Sequence, residues 1–183
     1  MGLVQRTERL LLRPLRLGDA PDVERLAGDW EIAKSTLRIP HPYPPEAALD
    51  FIMEQETLFA DGQGIAFAIA DARDKELFGC IGLGYDAQNF RAELGYWLGV
   101  PYWGRGYATE AARKVVDFGF RHFRLNRIYS RHFAFNPASG RVLEKIGLQR
   151  EGYRREAYYK EGLGFLDVVE YAILRREWQR ARG

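Results

Sequence analysis

The run Tyr102-Trp103-Gly104-Arg105-Gly106-Tyr107-Ala108-Thr109-Glu110-Ala111 sets two glycines, two residues apart, directly ahead of a segment with helical periodicity. This arrangement is suited to hold an anion. The glycines let the backbone turn tightly and present unobstructed N–H groups, and the first turn of the helix adds unpaired donors and the positive end of its dipole. The fitting guest is a phosphate or pyrophosphate. A dinucleotide-binding fingerprint would need a third glycine where Thr109 stands, and a parallel unit with an acidic residue about 20 positions further on. A nucleoside-triphosphate loop would close on Gly-Lys-Ser/Thr. Neither pattern is present. A turn that merely starts a helix is the remaining alternative.

The elements around this turn are legible from periodicity. Residues 8–15 alternate as an edge strand, and Asp19 is placed to cap a short helix through about Ala27. Pro44 and Pro45 introduce a helix over 46–60, and strands near 64–71, 77–85 and 91–99 follow as an antiparallel meander. After the glycine turn, Thr109 is placed to cap a helix reaching about Phe123, with Val115, Val116, Phe118, Phe120 and Phe123 toward the core. A strand over 127–135 comes next. Asn136 caps the following helix with Pro137 at its first position, and Gly147 ends it in a left-handed conformation. Strands near 149–159 and 165–174 form a closing hairpin.

Composition bounds the function. With 183 residues, 46% hydrophobic and 14% aromatic, the chain reads as one globular domain with a substantial core. Twenty-seven basic against 25 acidic side chains give a net charge of only +2, which argues against a dedicated nucleic-acid binder. The single Cys80 cannot form an internal disulfide, and the sequence has neither a leader-like N-terminal segment nor an apolar run long enough for a membrane. The expectation is a cytoplasmic protein that does not engage membranes.

The glycine turn and its surroundings resemble the cofactor motif of the GNAT superfamily of N-acetyltransferases, Gln/Arg-x-x-Gly-x-Gly/Ala. Trp103 stands at the first position, and Gly106 and Ala108 at the small ones. The tryptophan departs from the general pattern but is similar to the RimJ/RimL-like branch, which acetylates N-terminal amines of ribosomal proteins and related substrates. Ala92-Glu93-Leu94-Gly95-Tyr96-Trp97-Leu98 resembles that branch's fourth strand, and Asn136 through Leu148 its Asn-x-x-Ser helix. Glu8 to Leu15 and Tyr158 to Trp178 extend the likeness over nearly the whole chain. The resemblance implies an α+β domain over 8–178, with a mixed, mostly antiparallel central sheet of about seven strands flanked by about four helices. It also implies acetyl-CoA as cosubstrate. Leu98, Gly99 and Val100 would contact the thioester and pantetheine arm through the main chain. Trp103, Gly104, Arg105, Gly106, Tyr107, Ala108 and Thr109 would surround the phosphates, with Asn136 and Ser139 completing the cofactor contacts.

Acetyl transfer to an amine needs an oxyanion donor, a neutral amine and a proton for the departing thiolate. Glu93, two residues before Gly95, is the first candidate base, against an ion-paired surface role. His132 is the second, against a packed structural role. The family's usual tyrosine acid, seven residues after the motif's asparagine, is replaced by Leu143. Ser139 is the branch's alternative for hydrogen-bonding or protonating the sulfur, although a serine in a first helical turn is also an ordinary cap. Tyr43, Trp30, Tyr153, Tyr158 and Tyr159 are candidate walls for the acceptor, Asp167 reads as structural, and Glu110 is expected to point away from the phosphates. The expected reaction is direct transfer in a ternary complex, because no matched motif makes Cys80 a nucleophile. The leading acceptor is a protein or peptide N-terminal α-amine. Polyamines, antibiotics or a non-catalytic acyl-CoA sensor are the alternatives. Dimers are common in the branch, so a homodimer fits, but no interface is identifiable.

Overall fold

The computed structural model describes residues 3–182. Eight strands form one sheet, in the order β1-β2-β3-β4-β5-β6-β8-β7. They are β1 (Gln5–Arg6), β2 (Leu10–Pro14), β3 (Gly64–Asp71), β4 (Leu77–Asp86), β5 (Arg91–Leu98), β6 (Arg127–Phe133), β7 (Gln149–Lys160) and β8 (Gly164–Leu174). Six helices accompany them: α1 (Ala20–Ala27), α2 (Trp30–Ser35), α3 (Ala47–Ala60), α4 (Tyr107–His122), α5 (Pro137–Lys145) and α6 (Arg175–Arg180). The expected meander is present as β3-β4-β5, and the expected hairpin as β7-β8, both antiparallel. The short β1, α2 and α6 are additional to the elements read from the sequence. Each is six residues or fewer, too short to show a period.

The sheet has a different cover on each face. On one, α4 presses Ala111, Val115, Phe118 and Phe120 onto Phe67, Leu83 and Leu94, with the Phe67 and Phe118 rings edge-on at 5.5 Å. On the other, Ala20 and Val23 of α1 and Ala48 and Ile52 of α3 pack on Ala68, Leu77 and Cys80. Burying these apolar side chains is the main stabilising contribution.

Among the described residues β5 and β6 are the one parallel pair, and they are joined only over Arg91↔Arg127, Ala92↔Ile128 and Glu93↔Tyr129. Beyond them the Ser130 hydroxyl donates to the Leu94 carbonyl at 2.8 Å, taking the acceptor that a further ladder bond would use. From there the strands part. β5 continues along β4 to Leu98, and β6 along β8 to Phe133. The resulting fork opens toward the ends of both strands.

Three expectations are corrected here. The strand read over 8–15 is not an edge: β2 lies between β3 and the short β1, which the chain forms just before it. Asp19 precedes α1, but its carboxylate does not cap that helix. It accepts from both Arg13 Nη atoms, at 2.7 and 2.8 Å, and from the Arg16 N–H at 2.8 Å. Arg13, 5% exposed, cannot be left without counter-charge, and this outweighs capping. Thr109 does not cap α4 either. The helix begins two residues earlier, because Gly106 at φ 81° turns the chain directly into it.

Arg13 also donates to Asp74 at 2.5 Å, so one guanidinium ties β2 to the start of α1 and to the β3–β4 turn. Asp19→Ala should therefore lower the unfolding free energy by about 3 kcal/mol, read as a fall in the urea midpoint. A change below about 1 kcal/mol would show that Asp74 alone suffices.

Candidate active site

The fork and the glycine turn form one continuous track. In the β4–β5 ladder, Gly99 donates its N–H to the Phe78 carbonyl at 2.9 Å. Backbone direction alternates along an antiparallel pair, so Leu94, Tyr96 and Leu98 turn their backbone groups away from β4 and toward the fork. The carbonyls show this directly: that of Leu94 accepts from Ser130, and that of Leu98 from the Trp103 indole at 2.6 Å. The N–H groups of Tyr96 and Leu98 thus line the open edge. Gly99 is adjacent, with its own N–H facing β4.

Pro101 sits in a short 3-10 turn over Val100–Tyr102, which leads into the glycines. Tyr102 stacks on Phe78 at 4.3 Å, and Phe78 lies 4.9 Å from Tyr107, so aromatic packing fixes both ends of the turn. Gly104 at φ 73° and Gly106 at φ 81° adopt left-handed backbone that a side chain would strain. The first hydrogen bond of α4 runs from the Glu110 N–H to the Gly106 carbonyl at 3.0 Å. Among the described residues, no protein acceptor meets the N–H groups of Gly104, Arg105, Gly106, Tyr107, Ala108 or Thr109. The exposed turn offers a row of backbone donors at a positive helix end, the donor set that a pyrophosphate fits.

Glu110, one turn into α4, would oppose an anion were its charge free. Its carboxylate instead accepts from Thr7 Oγ1 at 2.6 Å, from the Arg9 N–H at 3.0 Å and from Arg9 Nε at 2.7 Å. Burial alone would raise its pKa, but the bonds from Thr7 and Arg9 outweigh burial and lower it. Arg9 also donates to the Arg105 carbonyl at 2.9 Å and lies over the Tyr107 ring at 4.7 Å. The β1–β2 hairpin therefore braces the glycine turn from outside. Nothing in the sequence periodicity signals this, because Arg9 and Glu110 are about a hundred residues apart.

On the other flank of the fork, β6 leads into α5. Asn136 caps that helix, its carboxamide oxygen accepting the Ser139 N–H at 3.3 Å. Ser139 Oγ lies 2.7 Å from the hydroxyl of Tyr96, which reaches across from β5. Sequence reasoning does not single out Tyr96. The available signal is its place on the same face as Leu94 and Leu98, a core-facing position for a side chain with a polar tip. Burial pushes its phenol up to about 12, the bond to Ser139 pulling slightly the other way.

The two candidate bases fall on opposite faces of the sheet. Glu93 pairs with Tyr129, and its carboxylate meets Arg131 at 2.9 Å on the face away from α4 and α5. Arg131 in turn lies 5.1 Å from the Tyr158 ring, so Glu93, Arg131 and Tyr158 form one cluster beside the fork. His132 projects the other way, 8% exposed under α5. Its Nδ1 is 2.8 Å from the Phe133 carbonyl, and a side chain on Gly140 would collide with its Nε2. Burial lowers its pKa and keeps it neutral, a packed residue rather than one facing an amine.

The other candidate acceptor walls are dispersed. Tyr153 donates to Asp167 on the far side of the hairpin, where Asp167 also accepts the Glu156 N–H. Asp167 is thus partnered, as a structural role requires. Tyr159 packs on Phe165 at the hairpin end, and Trp30 lies 5.2 Å from the His41 ring. Tyr43 is half-buried against α1 and α3. Of the five aromatics, only Tyr158 joins Glu93.

The acetyltransferase (GNAT) domain family matches residues 9–149. The chain belongs to this family. It is 35% identical over 173 residues to the uncharacterised N-acetyltransferase p20 of Bacillus licheniformis, covering 94% of this chain and 96% of that one. It is 27% identical to the Escherichia coli alanine N-acetyltransferase of ribosomal protein uS5, over 78% of this chain and 73% of that one. A crystal structure of a GNAT acetyltransferase from Bacillus anthracis superposes with a TM-score of 0.83 at 27% identity, covering 94% and 99%. The protein is an N-acetyltransferase of the GNAT family, with acetyl-CoA as its cosubstrate. The open donors at the turn and the backbone N–H groups at the fork fit that molecule's pyrophosphate and thioester in chemistry and in order along the chain.

Gly106→Val, which puts a β-branched residue at φ 81°, should leave the circular dichroism spectrum intact while weakening acetyl-CoA binding about tenfold or more by calorimetry. Unchanged affinity would separate the turn from the cofactor.

Proposed function

We propose that the acceptor is the α-amine of a protein or peptide N-terminus, acetylated by direct transfer within a ternary complex. The observation that carries this reading is the pairing of Glu93 with Arg131 beside the fork. An α-amine titrates at about 7.7–8.0 and is already substantially neutral near pH 7, whereas a lysine amine at about 10.4 demands a strong base. The Glu93 carboxylate, held in place by Arg131, can orient such an amine and accept its proton directly or through water. The relationship to the uS5-alanine enzyme of E. coli supports the same acceptor class.

The cosubstrate supplies an activated acetyl group, and the chain's own residues supply the rest. In this reading the turn from Gly104 to Thr109 anchors the phosphates, with Trp103 holding the turn to Leu98. The N–H groups of Leu98 and Tyr96 face the carbonyl oxygen whose negative charge grows during transfer. Val100 and Gly99 line the approach, and Asn136 fixes the helix that carries Ser139. Ser139 gives the departing sulfur a hydrogen bond or a proton. Cys80 takes no part: it is 4% exposed, and burial raises its thiol far above the ordinary range. Residues 8–178 constitute the catalytic domain, and a reduced cysteine suits a cytoplasmic setting.

Two measurements test this reading. Acetyl-CoA at 100 times its dissociation constant should stabilise the protein against thermal unfolding by about 2.7 kcal/mol, with adenosine as an inactive control. An alanine-terminated peptide should be acetylated with a kcat/KM at least about tenfold above that for spermidine. The reverse order would assign a polyamine acceptor, and stabilisation without turnover of any amine would assign a sensor. Glu93→Gln should slow turnover most at low pH and with high-pKa amines, and an unaltered pH–rate profile would remove Glu93 as the base.

A further inference from the structure

The position from which a GNAT tyrosine would serve as acid is occupied by Leu143, which is 0% exposed and packed in the core. A tyrosine nevertheless reaches the same helix from another strand. Tyr96 leaves β5 on the face shared with α4 and α5, crosses the fork, and places its hydroxyl 2.7 Å from Ser139 Oγ and 3.3 Å from the Ser139 carbonyl. Its neighbours on β5, Leu94 and Leu98, are buried, and Tyr96 packs against the same core. Its ring is therefore held in one place.

The Tyr96 hydroxyl reaches both oxygens of Ser139, and its contact with Oγ is the shorter, in the 2.7–2.8 Å range where hydroxyl-to-oxygen hydrogen bonds cluster. Each hydroxyl carries a single proton and either could donate, so the direction of the pair decides what the serine can do. If Tyr96 donates to Ser139 Oγ, the serine proton is free to point into the fork. If Ser139 donates to Tyr96, the serine has nothing left to give. Tyr96 stays protonated throughout the working pH range and so remains available as a donor.

We propose that Tyr96 is a positioning residue for the leaving group: it donates to Ser139 Oγ and thereby turns the serine proton toward the sulfur of the departing CoA. The inference rests on the reading of Ser139 given above. In the balanced step, the amine nitrogen forms its bond to the acetyl carbon and the carbon–sulfur bond breaks with its electron pair going to sulfur. Ser139 passes its proton to that sulfur and regains one through Tyr96, which is replenished from water. The proton lost by the amine leaves through Glu93. No oxidant or further reactant is required.

The test does not depend on knowing the acceptor. Binding of CoA and of desulfo-CoA is measured by calorimetry from pH 6.5 to 9.5 on the wild type, Tyr96→Phe, Ser139→Ala and the double variant. An ordinary thiol titrates at about 8.5, and a donor aimed at the sulfur favours the thiolate form. The wild type should gain affinity for CoA relative to desulfo-CoA as pH rises, with the gain beginning below the titration of free CoA. In Tyr96→Phe that onset should move up by about one pH unit, a tenfold loss of thiolate preference, with desulfo-CoA affinity unchanged. Tyr96→Phe should add nothing in the Ser139→Ala background.

An identical CoA profile in wild type and Tyr96→Phe overturns the proposal, as do additive effects of the two substitutions. A loss of desulfo-CoA affinity in Tyr96→Phe also overturns it, since that would be a packing effect on the fork. Binding of neither ligand to the wild type would instead overturn the cofactor assignment on which the proposal stands.

Discussion

A parallel pair that stops after three residues governs the architecture of the site. Had β5 and β6 stayed in register, every backbone group on their shared edge would be satisfied and the sheet would be sealed. Because Ser130 takes the Leu94 carbonyl and the strands then diverge, Tyr96 and Leu98 keep polar backbone groups facing an opening inside an otherwise continuous sheet. Backbone groups of this kind need a polar partner, whether water or a ligand, so the opening is a polar point in the sheet. The same divergence sends the chain from β5 into the glycine turn and from β6 into α5. Two helix N-termini are thus delivered to one opening without any residue being recruited from far away.

Around the opening, charges are managed so that the backbone can act. Glu110 lies in the turn of α4 where a negative charge would compete with a phosphate, yet Thr7 and Arg9 enclose it. Arg9 simultaneously holds the Arg105 carbonyl, which leaves the neighbouring N–H groups pointing outward. On the opposite face Arg131 does for Glu93 what Arg9 does for Glu110. The two carboxylates beside the opening are therefore each matched by an arginine, and the glycine turn presents backbone donors without a free negative charge beside them.

Much of this can be read from the chain because local rules and tertiary demands coincide there. The meander, the closing hairpin, α4 and α5 have clear periods, and Pro137 with Gly147 marks α5 at both ends. The glycine turn is legible for the same reason, since left-handed backbone at Gly104 and Gly106 leaves a mark in residue type. Where long-range partners decide the outcome, sequence reading falls short. Asp19 has the look of a cap and is the counter-ion of a buried arginine. Thr109 has the look of a cap and lies inside the helix. Tyr96 reads as one more aromatic on a strand, and its importance comes from Ser139, 43 residues away and brought near by the fork. Pairings of this kind leave no spacing signal, because either partner alone is unremarkable.

The strand order β6-β8-β7 has a consequence for how the chain reaches this state. β7 is made before β8 but has no place in the sheet until β8 lies between it and β6. On a ribosome, the edge of β6 stays open until β8 has emerged, and the strand that closes it carries the buried Val168, Val169, Tyr171, Ala172 and Ile173. Tyr158 comes to rest beside Arg131 only in that final docking. The Arg131–Tyr158 side of the fork is the last part of the sheet to exist, and an incompletely synthesised chain has the glycine turn without the surface that lies across the fork from it.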